Sequence, residues 1–420
     1  MDTDLVIIGA GAAGLMAGVH AAERGLRMVV LERKHLPGRK LLMCGNARCN
    51  ISSDLSAEKM IEAYGSLVGD FLRVAAEQFP PAALRAWMKT RGLNTTVHKD
   101  RRVFPASEKA SDVLRLFTDT MRKAGVPIMY NCPVESIQAI SGGWQVRARH
   151  CTLETKRVLI ATGGVSYPKT GSVGDGQKIA RTLGHKVTPF RPGLVGYEVE
   201  ENWLSRYVGE GFENTVLRVV GANGNVHALT RGELRCERWG ITGPAVVNAS
   251  REVARLNLKT YVFVVDLYPH YSIDQLVQRM GKVSFTQLQN VERCVAELGI
   301  PAILSREFTK NVLHGVGQDK HAVAQRLKAW TLHPIASRSL KEAMVTVGGV
   351  ALDDIMPDRM ESKRQSGLFF AGEVMDVDGP TGGFNLHAAF ATARLAVEAM
   401  PAGKVVRTSE LVRPKRRKRR

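Results

Sequence analysis

The chain opens on DLVIIGAGAAGLMAG, an apolar β-branched run from Asp4 to Ile8, then Gly9, Gly11 and Gly14, then a helical pattern to about Arg24. Few short stretches restrict a fold as tightly. Gly9 permits a sharp turn, Gly11 lets a pyrophosphate approach the backbone, and Gly14 lets helix and strand pack closely. Ala12 and Ala13 lie inside that turn, where the helix N-terminus presents free N–H groups to an anion. LRMVVLE from Leu26 reads as the next strand and ends in Glu32, eighteen residues beyond Gly14. A carboxylate about 20 residues on is where ribose hydroxyls are accepted. Strand, glycine turn, helix, strand predicts a parallel βαβ unit and a dinucleotide site, without choosing between NAD and FAD.

Further along, residues 56–90 and 108–124 read as helices, and Val134–Ile140 with Trp144–Arg149 as an antiparallel pair. KRVLIATGG at 156–164, fully apolar and ending near Gly163, predicts that the chain re-enters the first sheet. From 194 to 268 short alternating runs rich in Val, Thr and Gly suggest a β domain, and 272–332 turns helical with basic residues outward. VTVGGV at 345–350 and GLFFAGE at 367–373 read as strands, and a long last helix follows Gly382-Gly383. That C-terminal segment favours FAD. Gly372-Glu373 closes a strand with a carboxylate suited to a ribityl chain, and the helix opened by Gly383 can aim its positive end at a flavin's pyrimidine carbonyl. An ordinary strand and loop is the alternative.

Four stretches, PGRKLLMCGNARCNISS, ATGGVSYPKTGSVGDG, GELRCERWGITGPAVVNAS and ESKRQSGLFFAGEVMDVDGPTGGFNLHAAFATARLA, resemble the HI0933-like family of bacterial flavoproteins, in order from residue 4 to about 398. The resemblance implies an α/β fold: a discontinuous Rossmann-type FAD-binding domain (1–192 and 340–402), an inserted β-barrel-like domain (193–270 and 331–345) and a small helical insertion (271–330); the basic tail (403–420), outside the resemblance, lacks apolar periodicity and reads as disordered. By position it places adenosine near Glu32 and the backbone of Val134, and pyrophosphate near Gly11 to Ala13 with Arg39 and Lys40 beside it. It places the isoalloxazine near Asn46, Cys49, Gly372, Glu373 and the run Gly383, Asn385, Leu386; Arg33 and Gly163 complete the expected FAD set. Three departures stand out. Ala47 occupies a position where relatives carry glycine, Glu237-Arg238 stands where they carry Thr-His, and His387 stands where they carry glutamine. A proton-transfer role attached to that missing histidine does not pass to arginine, which keeps its proton.

A net charge of +19 is the unusual property of the composition. The terminal run VRPKRRKRR holds seven of those cations after residue 412, so the rest of the chain still carries +12. Such an excess predicts a polyanionic partner, nucleic acid or an anionic membrane surface, unless the tail serves only solubility. No apolar stretch is long enough to span a bilayer, so no membrane insertion is expected. Cys44, Cys49, Cys132, Cys151, Cys236 and Cys294 are scattered without a CxxC pair. They read as reduced thiols of a cytoplasmic protein, and no metal site is expected.

The resemblance points to reduction of a uridine in 23S ribosomal RNA to dihydrouridine, with NAD(P)H as a transient electron donor, since no second GxGxxG unit is present to house it. Two other readings are an NAD(P)H-dependent flavin reductase of small enone-type, bile-acid-like substrates, and an RNA-binding assembly factor whose FAD is structural. Arg326, Lys328, Arg338 and Lys341 with the tail form the expected RNA footprint. For uracil, Cys49 and His387 are the candidate proton donors, although Cys49 can equally be a packing thiol and His387 a group bonded within its own helix. Trp239 can stack on a base or fill the barrel core.

Overall fold

The computed structural model describes residues 3–281, 288–316 and 319–403. The basic run 413–420 therefore lies outside the described residues. The chain divides into two compact units, one spanning Arg191–Met344 and the other built from the chain on either side of it.

The first unit is organised by five parallel strands in the order Leu368–Phe370, Val158–Ile160, β1 (Leu5–Ile8), β2 (Met28–Leu31), Ile128–Met129. The first four strands in that order are buried at every position, and only Ile128–Met129 at the far edge is partly exposed. Helices pack on both faces of such a sheet, which is why these strands lack a polar alternate residue. Each fully buried Leu or Ile there contributes about 1.5–3 kcal/mol. Helix α1 (Ala12–Glu23) follows β1, and the C-terminal helix Phe384–Glu398 packs against it. Helices Ala57–Tyr64, Ser66–Gln78, Pro81–Lys89 and Ala110–Lys123 occupy the stretches read as helical. Val134–Ile140, Gly143–Ala148 and Cys151–Thr155 form a separate three-stranded antiparallel sheet, as the sequence suggested for its first two members.

The second unit is a seven-stranded antiparallel sheet in the order Trp330–Leu332, Tyr261–Asp266, Gly211–Gly221, Val226–Glu237, Gly240–Thr242, Tyr197–Val199, Pro334–Ser337. Its two outermost strands are joined by His333 alone, so the sheet must curl until its edges nearly meet. Helices Ile273–Arg279, Leu288–Glu297, Ala302–Val312 and Lys320–Lys328 share one apolar core with it.

The all-β reading of 194–268 missed a helix, Pro244–Leu256. Its valines raised the β signal, but Pro244 at the first position and Asn257 in the left-handed conformation at the end are start and stop signals. No helix among the described residues is long and apolar enough to cross a membrane.

Candidate functional site

The dinucleotide cradle follows from three glycines used in three ways. Gly9 has φ +101°, and a Cβ there would lie 2.6 Å from the Ala161 carbonyl oxygen. A Cβ on Gly14 would lie 1.8 Å from the Gly9 carbonyl oxygen, so strand and helix meet backbone to backbone. Around Gly11 nothing lies within 4 Å of where a Cβ would stand. That space opens at the N-terminus of α1, whose cap Gly11 supplies no side-chain acceptor. The first N–H groups of an α-helix have no intrahelical partner, so Ala12, Ala13 and Gly14 offer donors to a diphosphate.

Glu32 follows β2 and is 8% exposed. Its Oε2 accepts from the Ala10 N–H and its Oε1 from the Lys34 N–H, both at 2.8 Å. Burial raises its pKa against those two bonds. Each oxygen keeps a second lone pair for a ribose hydroxyl. The Cys132 N–H donates to the Glu32 carbonyl at 2.9 Å, which brings Val134, two residues on, to the same end of the sheet. Arg33 is paired with Asp175. Arg39, first residue of α2 (Arg39–Met43), is half-buried and makes no ion pair or side-chain hydrogen bond among the described residues, which leaves its guanidinium for an anion.

The other end of the cradle is built from both ends of the chain. Gly372, at φ +72°, would place a Cβ 3.1 Å from that of Ala13, so the segment after strand Leu368–Phe370 lies against the first turn of α1. Glu373, expected to hold a ribityl chain, is engaged by the protein itself. Lys40 Nζ donates to its Oε2 at 2.7 Å, and the Thr346 N–H donates to its Oε1 at 2.7 Å. Lys40 Nζ also donates to Ser166 Oγ, at 2.6 Å. Thr346 Oγ1 in turn accepts from the Val165 and Ser166 N–H groups. Lys40 is thus committed to Glu373 rather than free beside a diphosphate. Sequence reasoning missed Ser166 and Thr346; Thr346 is fully buried inside an otherwise apolar strand, and nothing local to either residue marks a bond across 180 residues. Gly163, at φ +73°, is held by the Gln177 amide through its carbonyl at 2.9 Å.

Gly45, Asn46, Ala47 and Cys49 all have positive φ, between 54° and 62°. At Ala47, φ 62° costs about 1–2 kcal/mol that glycine would not incur, the local price of the departure from the family pattern. Asn46 is exposed, whereas Cys49 is fully buried. Asn50, unread in the sequence, ties this loop to the last helix: with its amide turned to satisfy its neighbours it accepts from the Gly383 N–H at 3.0 Å and donates to the Ser52 and Val103 carbonyls. Gly383 lies flat on Ser52, where any Cβ would come within 2.6 Å of the backbone. The helix that Gly383 caps has no side-chain acceptor at its N-terminus. The Asn385 side chain turns back to Gly379 and Pro380, closing the loop before the helix, and Leu386 packs on the core.

His387 is 1% exposed and meets Ser52 Oγ through Nδ1 at 3.0 Å. Burial lowers its pKa to about 4, so the ring is neutral at physiological pH. Burial also pushes the Cys49 thiol well above its ordinary value, so it keeps its proton. Neither is open to a substrate in this conformation.

In the second unit, Trp239 does not fill the core as the sequence suggested. It is half-buried at the turn between strands Val226–Glu237 and Gly240–Thr242, over Gly196, with the Arg338 guanidinium 4.9 Å from its ring centre. Of the four cations expected to meet RNA, Lys328 is bound to Asp266 and Arg338 to Glu198 and Glu342. Arg326 and Lys341 are exposed and make no ion pair among the described residues.

An open backbone cradle at Gly11, an unpaired Arg39 and a buried carboxylate at the end of β2 fit a dinucleotide such as FAD. Within the described residues no cluster of His, Cys, Asp or Glu could hold a metal ion. The profile of the HI0933-like protein Rossmann domain matches residues 3–399. The chain is similar to the 3-dehydro-bile acid delta(4,6)-reductase of Clostridium scindens, 28% identical over 410 residues that cover 94% of this chain and 98% of that protein. It is as similar to the ribosomal RNA dihydrouridine synthase of Escherichia coli K12, 28% identical over 414 residues that cover 96% of this chain and 98% of that one. Among solved structures, the 3-ketosteroid-delta4-(5alpha)-dehydrogenase of Rhodococcus jostii RHA1 shares the fold, with a TM-score of 0.52, 15% identity and coverage of 94% of this chain and 96% of that one.

Proposed function

This chain belongs to the HI0933-like family of FAD-dependent oxidoreductases, and from that premise we propose that it uses NAD(P)H to reduce a uridine of 23S ribosomal RNA to dihydrouridine. The observation that carries the substrate is charge. A small anionic substrate needs one or two cations, whereas a phosphate backbone is held by many, each releasing counterions. This chain carries +12 outside its terminal run and +19 with it. A grip on flanking phosphates also offsets the few kcal/mol needed to turn a base out of its stack.

The chemistry that FAD would supply in the cradle is hydride transfer, which for uracil would be to C6. The chain's own residues would hold the cofactor: the first turn of α1 and Arg39 the diphosphate, Glu32 the ribose, and the helix end at Gly383 the flavin ring. C5 requires a proton. Of the two candidates Cys49 is the one we assign, because its thiol keeps its proton while the neutral His387 ring lacks the acidic imidazolium proton; the loop around Cys49 must open first.

Anaerobic incubation of the protein with NADH and a transcript of the ribosomal peptidyl-transferase region tests the reading by mass spectrometry. One uridine gains about two daltons, from the two hydrogens of hydride transfer and protonation. Cys49→Ala should retain bound flavin and lose the product. Product persisting in that variant moves proton donation to another group. A second reading, reduction of a small enone, is favoured by the equal identity to the bile-acid reductase; a flavin reduced by NADH with no change in the transcript selects it. Flavin that NADH cannot reduce points instead to an RNA-binding role with structural FAD.

A further inference from the structure

Two cysteines far apart in any sequence pattern face each other in the first unit. Cys132 Sγ and Cys151 Sγ are 3.9 Å apart. Cys132 follows strand Ile128–Met129 and precedes strand Val134–Ile140, and its N–H is bonded to the Glu32 carbonyl. Cys151 opens strand Cys151–Thr155, in register with Ala148, which is itself in register with Val134. The turn between Ala148 and Cys151 is tied back to the other segment by the Arg149 N–H, which donates to the Pro133 carbonyl at 3.1 Å. Both backbones are therefore fixed in the arrangement that brings the thiols together.

We propose that Cys132 and Cys151 form an oxidisable thiol pair that closes to a disulfide and fastens the segment lying against Glu32. A disulfide needs its sulfurs about 2.05 Å apart, so each must move by about 1 Å, within reach of side-chain rotation. Cys132 is 2% exposed and Cys151 is half-buried, so the oxidant meets Cys151 first. With a peroxide, the Cys151 sulfur takes one oxygen as the O–O bond breaks and water leaves. The Cys132 sulfur then attacks that sulfur, the S–S bond forms, and the hydroxyl departs as a second water with the remaining thiol proton. Two thiols and one peroxide give one disulfide and two waters, a balanced two-electron oxidation.

Burial, and Cys132 beside it, push the Cys151 thiol up, which makes the thiolate scarce at neutral pH. Closure should accelerate about tenfold per pH unit while the pH stays below that pKa, because the thiolate is the reacting form. The disulfide would pin Cys132 where its N–H holds the end of β2, and so slow FAD release by about threefold or more through a stiffer adenosine site. That consequence rests on Glu32 and Val134 holding the adenosine.

The full-length flavoprotein is treated with hydrogen peroxide across a pH series, unfolded, titrated for thiols and mapped by peptide mass spectrometry, with FAD release followed in parallel by fluorescence. The pair predicts loss of two of the six free thiols, a linked peptide joining Cys132 to Cys151, and no such peptide in Cys151→Ser or Cys132→Ser. All six thiols persisting, or a link confined to other cysteines such as Cys44 and Cys49, overturns it. A Cys132–Cys151 link with unchanged FAD release keeps the pair and removes the adenosine from Glu32.

Discussion

Gly11 and Gly14, given different roles by their places in the turn, have opposite surroundings in space. Gly11 has φ −79° and open space around its absent Cβ, so Gly11→Ala should fold normally, with unfolding within about 0.5 kcal/mol of the parent. The added methyl occupies the approach of the diphosphate, so the purified variant should lose most of its visible flavin absorbance. Gly14→Ala drives a methyl into the Gly9 carbonyl at 1.8 Å and should cost about 2 kcal/mol or more in stability, since overpacking is not relieved by backbone on both sides. Urea denaturation and the flavin-to-protein absorbance ratio separate the two. A Gly11→Ala protein that keeps its flavin would place the diphosphate elsewhere. The fate of Cys49→Ala belongs to the same scale: a thiol that retains its proton is useful only if it is uncovered, and dihydrouridine formation reads that directly.

At the scale of elements, α1 and the C-terminal helix are fastened by a charged clasp. His20 Nε2 lies 3.2 Å from Glu398 Oε1, and its Nδ1 lies 3.5 Å from Glu23. Burial pulls the His20 pKa down, but Glu23 and Glu398 outweigh it and the net shift is upward. His20 and Arg394 together hold Glu398 at about 2. The raised histidine stabilises the fold below its unfolded value of 6.5 and stops doing so as pH rises through the folded value. The depressed carboxylate stabilises above its unfolded value of 4.5, and that contribution is lost as pH falls toward about 2. The clasp is therefore strongest between pH 4.5 and 6.5. Glu398→Gln should lower the His20 pKa in an NMR titration and cost about 0.5–1 kcal/mol within that window, a modest value because the pair is partly solvated. An unshifted His20 would show that Glu398 does not fasten the two helices, leaving apolar packing and the Arg24 bond to the Met400 carbonyl to hold them.

For the whole molecule the proposed RNA substrate is tested through charge. Removing residues 413–420 takes seven cations. If all of them neutralise phosphates, the slope of log binding constant against log salt should fall by about 5, at about 0.7 per contact on a single strand. A slope unchanged by the truncation assigns the grip to the body, where Arg326→Ala and Lys341→Ala should each remove about 0.7. Lys328 and Arg338, already bound to carboxylates, should contribute less.

The sequence by itself determined the parallel βαβ start, the spacing of Glu32, the return of strand Val158–Ile160 to the first sheet and the final helix. Each rests on forces that act within a few residues: the sterics of glycine, the period of apolar positions, the approach of backbone to an anion. It did not reveal the helix Pro244–Leu256, whose valines imitate a strand until the end signals are weighed, nor that Asn385 closes its own loop. Ser166, Thr346, Asn50 and the facing of Cys132 and Cys151 were equally hidden. Only the tertiary structure decided these. The loop that Asn385 closes spans six residues, but the Cys132–Cys151 contact spans 19 and the Ser166–Thr346 bond 180, and such contacts are set by which strands pair and in what register. That choice is made by the packing of the whole core and leaves no local trace in the chain.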